Sequence, residues 1–220
     1  MPTLLMRISA PLQSWGTQSH FSHRDTGREP SKSGIIGLLC AALGRPRYER
    51  VDDLRALRMG VRIDRPGDVR RDYHTAGIDG YYKVSGSIER KNAIVSHRYY
   101  LSDAIFLVGL EGEPTLLERL QTALQQPRWL LFFGRKAFLP AERVWLPDGL
   151  TSAGLFDALS TYPYLGADAQ ASKTLQLLLE DDEQGTIVRS DQPISFEPRR
   201  FIPRRLRSQF VANPSYKEEA

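Results

Sequence analysis

Apolar residues arrive in short blocks along this chain, and the spacing within each block separates strands, with period two, from helices, with period about 3.6. Leu4 to Ile8, L-L-M-R-I, predicts a buried strand, which Pro11 ends before a polar loop from Gln13 to Phe21. Ser33 to Leu43 is apolar on nearly every side and predicts a buried helix. Ser31 or Ser33 serves as its N-cap, Pro30 suits the entry, and Gly44 followed by Pro46 closes it. Between Leu54 and Ile63 the apolar positions 57, 59, 61 and 63 predict a second strand. The turn D-R-P-G-D at Asp64 to Asp68 and the basic run R-R-D-Y-H lead into Gly77 to Tyr100, polar and broken by glycines, read as a projecting hairpin or loop.

Ala104 to Leu110 is a third strand block, and Pro114 opens a helix with apolar positions 116, 117, 120 and 124, stopped by Pro127. Trp129 to Phe133, W-L-L-F-F, is read as the fourth strand, running into the basic turn at Gly134. Further on, Gly154 to Leu159 predicts a short helix, and Leu175 to Glu180 is expected to pair with Thr186 to Arg189 across D-D-E-Q-G. The order strand, helix, strand, arm, strand, helix, strand predicts an α+β protein: a ferredoxin-like or RRM-like N-terminal domain over 1–144. A protruding thumb hairpin is expected at about 76–100, and a smaller, mainly β C-terminal domain over 145–220. No internal repeat or low-complexity tract interrupts this division.

Composition narrows the function. The 220 residues are 41% hydrophobic, enough for a real core. Formal net charge is only +4, but its cations are 24 Arg against 6 Lys. Arginine recognises phosphate through a planar, bidentate fork, so the excess favours nucleic acid; a GC-rich genome explains it equally well by composition alone. The single Cys40 excludes a disulfide framework or cysteine-rich metal site and fits a reducing cytoplasm. The Met-Pro-Thr start runs directly into a strand, and no apolar stretch approaches the roughly 20 residues of a membrane span, so neither secretion nor membrane insertion is expected.

The candidate chemistry is cationic. Arg28 and Lys32 flank the start of the apolar helix, whose free N–H groups, with Ser33, make an anion site. G-R-E-P-S-K-S-G at Gly27 to Gly34 is not a P-loop, because Ser31 stands where the glycine before the lysine must be. Gly34, Gly37 and Ala41 are read as packing residues. Gly134-Arg135-Lys136 is a second basic turn, expected to face the same ligand. Tyr, His and cationic residues interleave from Tyr73 to Lys83 and from His97 to Tyr100, a composition suited to stacking bases and holding phosphates. Histidines 20, 23, 74 and 97 lack zinc spacing, and neither a metal nor a cofactor is expected. There is no G-x-S-x-G elbow or prominent acidic pair.

Taken in order, P-L-Q-S-W-G, T-G-R-E-P-S-K-S-G-I-I-G-L-L-C-A-A-L-G, R-D-Y-H-T and F-F-G-R-K-A-F-L-P closely resemble the CasD-type subunits of type I-E CRISPR Cascade complexes, which belong to the RAMP superfamily. The resemblance covers most of Leu4 to Pro140. It implies a non-catalytic, cytoplasmic antiviral-defence subunit that holds the 5′ handle of the guide RNA (crRNA). It also implies contacts with a backbone subunit and the large PAM-recognising subunit, and with target DNA through the complex. RNA-binding positions then fall on Trp15, Arg28, Lys32, Ser33, Arg98, Gly134, Arg135 and Lys136. In a related subtype the homologous subunit cleaves repeat RNA without metal, using Tyr, Lys and His. Tyr73, His74 and Lys83 are the positions that imitate that set here.

Overall fold

Leu4, Met6 and Ile8 pack into one hydrophobic cluster and Leu5 into another, so the first strand is apolar on both faces and a layer covers each. The computed structural model describes residues 1–19, 22–166 and 172–216. In chain order its elements are β1 (Thr3–Ser9), β2 (Leu12–Gln13), β3 (His23–Arg24), α1 (Lys32–Leu43), α2 (Asp52–Arg55), β4 (Arg58–Arg65), β5 (Asp68–Ala76), β6 (Tyr81–Tyr82), β7 (Ile88–Glu89), β8 (Ile94–Ser102), β9 (Ile105–Glu111) and α3 (Pro114–Gln125). β10 (Trp145–Thr151), α4 (Leu155–Thr161), β11 (Thr174–Glu180), β12 (Ile187–Phe196) and β13 (Arg199–Ala212) complete a mixed α+β fold.

The main sheet has seven strands in the order β10-β1-β9-β4-β11-β13-β12, every neighbouring pair antiparallel. α1 and α3 cover one face through Ile35, Ile36, Leu39, Leu117, Leu120 and Leu124. α4 covers the other through Leu155, Ala158 and Leu159. Its close approach depends on Gly60 and Gly109, which are register partners: a Cβ on either would run into the Leu155 or Leu159 side chain. The last carbonyls of α4 are met by the fully buried Arg62, which donates from Nη1 to the Leu159 and Tyr162 oxygens and from Nη2 to Pro163 O at 2.8 Å. Asp64 completes that site with an ion pair at 2.7 Å.

Local signals set α1 as expected. Ser31 Oγ accepts from Gly34 N at 3.2 Å, and Gly44, with φ 71°, closes the helix in the left-handed conformation. Four other expectations need correction. Leu54 belongs to the short helix α2, whose N-terminal Asp52 and Asp53 suit a helix start, and the second strand begins only at Arg58. R-R-D-Y-H is strand, not approach: β5 pairs with β8 over nine residues from Asp68↔Ser102 to Ala76↔Ile94, and the small β6/β7 ladder lies beyond.

Trp129–Phe133 is not a strand, and the strand beside β1 at that edge of the sheet is β10. Trp129 and Leu130 are exposed at 46% and 68%, and the backbone of this segment bonds to the end of α1 instead, through Arg128 N to Ala42 O and Trp129 N to Ala41 O. Finally, β11 does not pair with β12. β13, at 14 residues the longest strand, lies between them, and β11 closes onto β4 on its other side. Residues after Trp145 therefore supply both edges of one sheet.

Candidate nucleic-acid interface

A groove of about 570 Å³ follows the exposed side of α1. Gly34, Gly37 and Ala41 line it from α1, with the Trp15 ring packed against Gly34 and Phe196 nearest to Gly37. The Ser14–Thr17 segment and the loop through Trp129, Phe132 and Arg135 form one side, and the β12–β13 turn, with Phe196, Arg199 and Phe201, the other. Arg24, Arg45, Arg47, Arg135 and Arg199 all line it. Aromatic surface and guanidinium groups along one trough are what an unpaired nucleic acid strand requires. The Gly134 turn packs on the Ser14 loop: Ser14 N donates to Phe133 O at 3.2 Å, and the Gly134 backbone lies directly against Ser14. At Gly134 φ is 85°, and a Cβ there would collide with the Ser14 carbonyl.

Two expected contact residues face inward. Trp15 is 2% exposed; its indole Nε1 donates to Gln13 Oε1 at 3.0 Å, and its ring packs 5.8 Å from Phe133. It supports the groove wall and offers no ring face to a base. Lys32 is also 2% exposed, and its Nζ reaches both Glu180 oxygens, at 2.8 and 2.9 Å. Burial lowers the Lys32 pKa, opposed chiefly by Glu180 and helped by the nearby Arg204. The helix start is occupied too. Asp191 Oδ2 accepts from Lys32 N at 2.7 Å while Asp191 holds Arg204 in a two-point ion pair, and Ser31 caps Gly34. A protein carboxylate thus fills much of the anion site expected from the sequence.

The other positions are reachable. Arg28 and Lys136 are exposed, and Ser33 lines the groove. Arg98 is half-buried, with Nε donating to Ser96 Oγ at 3.1 Å. Arg135 lies over the Tyr100 ring at 4.5 Å and near Phe138 at 5.7 Å. Burial pushes the Arg135 pKa down; Tyr100 opposes this, and the neighbouring Arg98 and Arg24 charges add to it.

The three residues considered for RNA cleavage are not assembled. Tyr73 and His74 are successive residues of β5 and point to opposite faces. Tyr73 packs on His97 at 5.6 Å, His74 lies 3.8 Å from Asp72, and Lys83 pairs with Glu89 at 2.6 Å beside the β6/β7 ladder. His23 stacks on Tyr99 at 5.1 Å, and His20 lies outside the described residues. Sequence reasoning missed Arg24, Arg45, Arg47 and Arg199 and the aromatics Trp129, Phe132, Phe196 and Phe201 as groove residues. Arg45 and Arg47 directly follow the Gly44 stop signal, a cue that was available; Arg199 and Phe201 come to the groove only through the turn into β13.

An antiparallel sheet backed by helices, with an arginine-lined trough beside α1 and a long side hairpin, defines the class as α+β with a basic groove. The family model described as CRISPR-associated protein (Cas_Cas5) matches residues 3–209, so the chain belongs to the Cas5 family of CRISPR-associated proteins. It is 28% identical over 214 residues to the CRISPR system Cascade subunit CasD of Escherichia coli strain K12, covering 91% of this chain and 92% of that protein. A crystal structure described as a Cas protein is 47% identical, with a TM-score of 0.79 over 96% of this chain and 95% of the other. A chain of a CRISPR RNA-guided surveillance complex is 30% identical, also with a TM-score of 0.79, over 97% and 91%.

Proposed function

We propose that this protein is the non-catalytic guide-RNA subunit of a type I-E Cascade surveillance complex, holding the 5′ handle of the crRNA in antiviral defence. The observation that carries the reading is the groove along α1, where five arginines and five aromatic side chains, Trp15 among them as a buried support, line one trough. Membership of the Cas5 family and similarity to CasD agree with it. Arg28, Ser33, Arg98 and the Gly134–Lys136 turn are the contacts carried forward from the sequence, with Trp15 and Lys32 as supports beneath them.

The order β1-α1-β4-β9-α3-β10, with β10-β1-β9-β4 adjacent in space, matches a ferredoxin-like core. On this reading the β5/β8 hairpin is the thumb, and residues 145–220 form a C-terminal portion that closes the first sheet and extends it. The backbone subunit, the large PAM-recognising subunit and, through the complex, target DNA are the macromolecular partners. The described helices include none long and apolar enough to cross a membrane, and the cytoplasm is the proposed location.

Handle-bearing guide RNA and the same RNA with a scrambled handle, compared by mobility shift in the assembled complex, test the assignment. Tighter retention of the native handle, weakening steeply with salt as counterions are released, is expected. Equal retention overturns handle recognition. Incubation with repeat RNA in EDTA is expected to give no discrete products; cleavage abolished by His74→Ala would establish a ribonuclease instead.

A further inference from the structure

Three guanidinium groups meet near the N-terminal end of α1, and no carboxylate among the described residues is paired with any of them. Arg24 of β3 and Arg98 of β8 are direct register partners in a parallel ladder, so their side chains leave the same face about one strand spacing apart. Tyr100, two residues beyond Arg98 on that face, carries Arg135 on its ring at 4.5 Å. Nη1 of Arg135 is buried without a hydrogen-bond partner. Asp25 follows Arg24 in the chain and Asp72 is the register partner of Arg98 on β5, yet neither forms an ion pair with the three guanidinium groups. Asp25 accepts from Thr17 N, Gln18 N and the Ser19 hydroxyl, and Asp72 accepts from the Tyr100 hydroxyl at 3.0 Å.

Like charges this close repel unless an anion sits between them, and here the fold holds them together with unused donors. Stacking on Tyr100 and Phe138 fixes the plane of Arg135, which reduces the ordering cost of binding. Arg24 and Arg135 line the same groove that continues to Arg45 and Arg47 at the other end of α1. We propose that Arg24, Arg98 and Arg135 form a preorganised cradle for one internal phosphodiester of the bound RNA, with Arg135 as its fixed centre. This rests on the RNA-binding reading above and adds to it a single phosphate position and a residue, Arg24, that the sequence did not single out.

The test uses the full chain and a set of synthetic handle RNAs, each carrying one uncharged methylphosphonate linkage, with affinity read by filter binding. For the unmodified chain, one linkage, or two adjacent ones, is expected to weaken binding about tenfold or more, the scale of charge-assisted hydrogen bonds. Arg135→Ala and Arg24→Ala should each remove most of that sensitivity at the same linkage and leave the others as they were. Arg24 is exposed, so its replacement reports on binding even if Arg135→Ala perturbs folding. Sensitivity spread evenly over all linkages, or unchanged in Arg24→Ala, overturns the cradle while leaving RNA binding intact. Failure of the unmodified chain to bind any of these RNAs overturns both readings.

Discussion

Lys32 and Glu180, 148 residues apart, are joined in the interior by two hydrogen bonds of 2.8 and 2.9 Å. Glu180 also accepts from Met59 N at 3.0 Å, so one carboxylate ties the start of α1 to β4 and β11. Removing one partner of such a buried pair leaves an uncompensated charge, typically costing about 3–5 kcal/mol. Lys32→Met is expected to lower stability by that order in urea unfolding, and Lys32→Met with Glu180→Gln to recover much of the loss. A single-variant loss below about 1 kcal/mol would contradict the pairing. Once folded, Lys32→Met should keep the salt dependence of RNA binding unchanged, because Lys32 faces the interior.

Exposed cations should behave in the opposite way. Arg28→Ala and Lys136→Ala are each expected to leave the melting temperature nearly unchanged while lowering RNA affinity. Each should reduce the slope of log affinity against log salt by about 1 if its side chain neutralises one phosphate. An unaltered slope in both variants removes these positions from the interface.

Gly134→Ala tests the groove wall. The left-handed backbone, with φ 85°, costs a non-glycine residue about 1–3 kcal/mol, and the added methyl meets the Ser14 carbonyl. A lower melting temperature together with weaker RNA binding is expected, since Arg135 and Ser14 must both shift. Normal stability would show that the turn relaxes freely.

Tyr162 supplies a pH signature. Burial raises its phenol pKa from 10.0 to about 12, and the hydrogen bond of its hydroxyl to Asp148, 2.8 Å long, works in the same direction. In this window the unfolded chain releases the proton and the folded chain retains it, so stability falls as pH rises from 10 toward 12 and is unaffected by this group below 10. Tyr162→Phe should flatten that alkaline decline, measured as melting temperature against pH, at a cost near neutrality of about 1 kcal/mol for the lost hydrogen bond. An identical decline in both proteins would rule Tyr162 out as its source.

The elements readable from the sequence are those whose signals are local. Ser31 and Gly44 bound α1, Pro114 opens α3, and the unbroken apolar run of β9 reflects helices on both faces of the sheet. Trp129–Phe133 misleads because its backbone bonds to the end of α1 and not to a strand, leaving Trp129 and Leu130 exposed, an arrangement that no spacing reveals. W-L-P-D-G-L-T of β10, with a proline and a glycine, hides a true edge strand. The site divides in the same way. Arg135 and Arg98 are visible in basic, aromatic stretches, whereas the burial of Lys32 is invisible without Glu180. Arg24 gains meaning only when the two-residue β3 is laid beside Arg98.

The position of β11 between β4 and β13 carries a consequence for synthesis. As the chain leaves the ribosome, β1, α1, β4 and β9 emerge long before the strand that closes onto β4, and Lys32 must wait for Glu180 to find its counter-charge. Until then the nascent protein exposes the open strand edge of β4, the kind of surface that recruits chaperones or neighbouring chains. Messages truncated before residue 174 should therefore yield an aggregation-prone fragment in place of a smaller stable module.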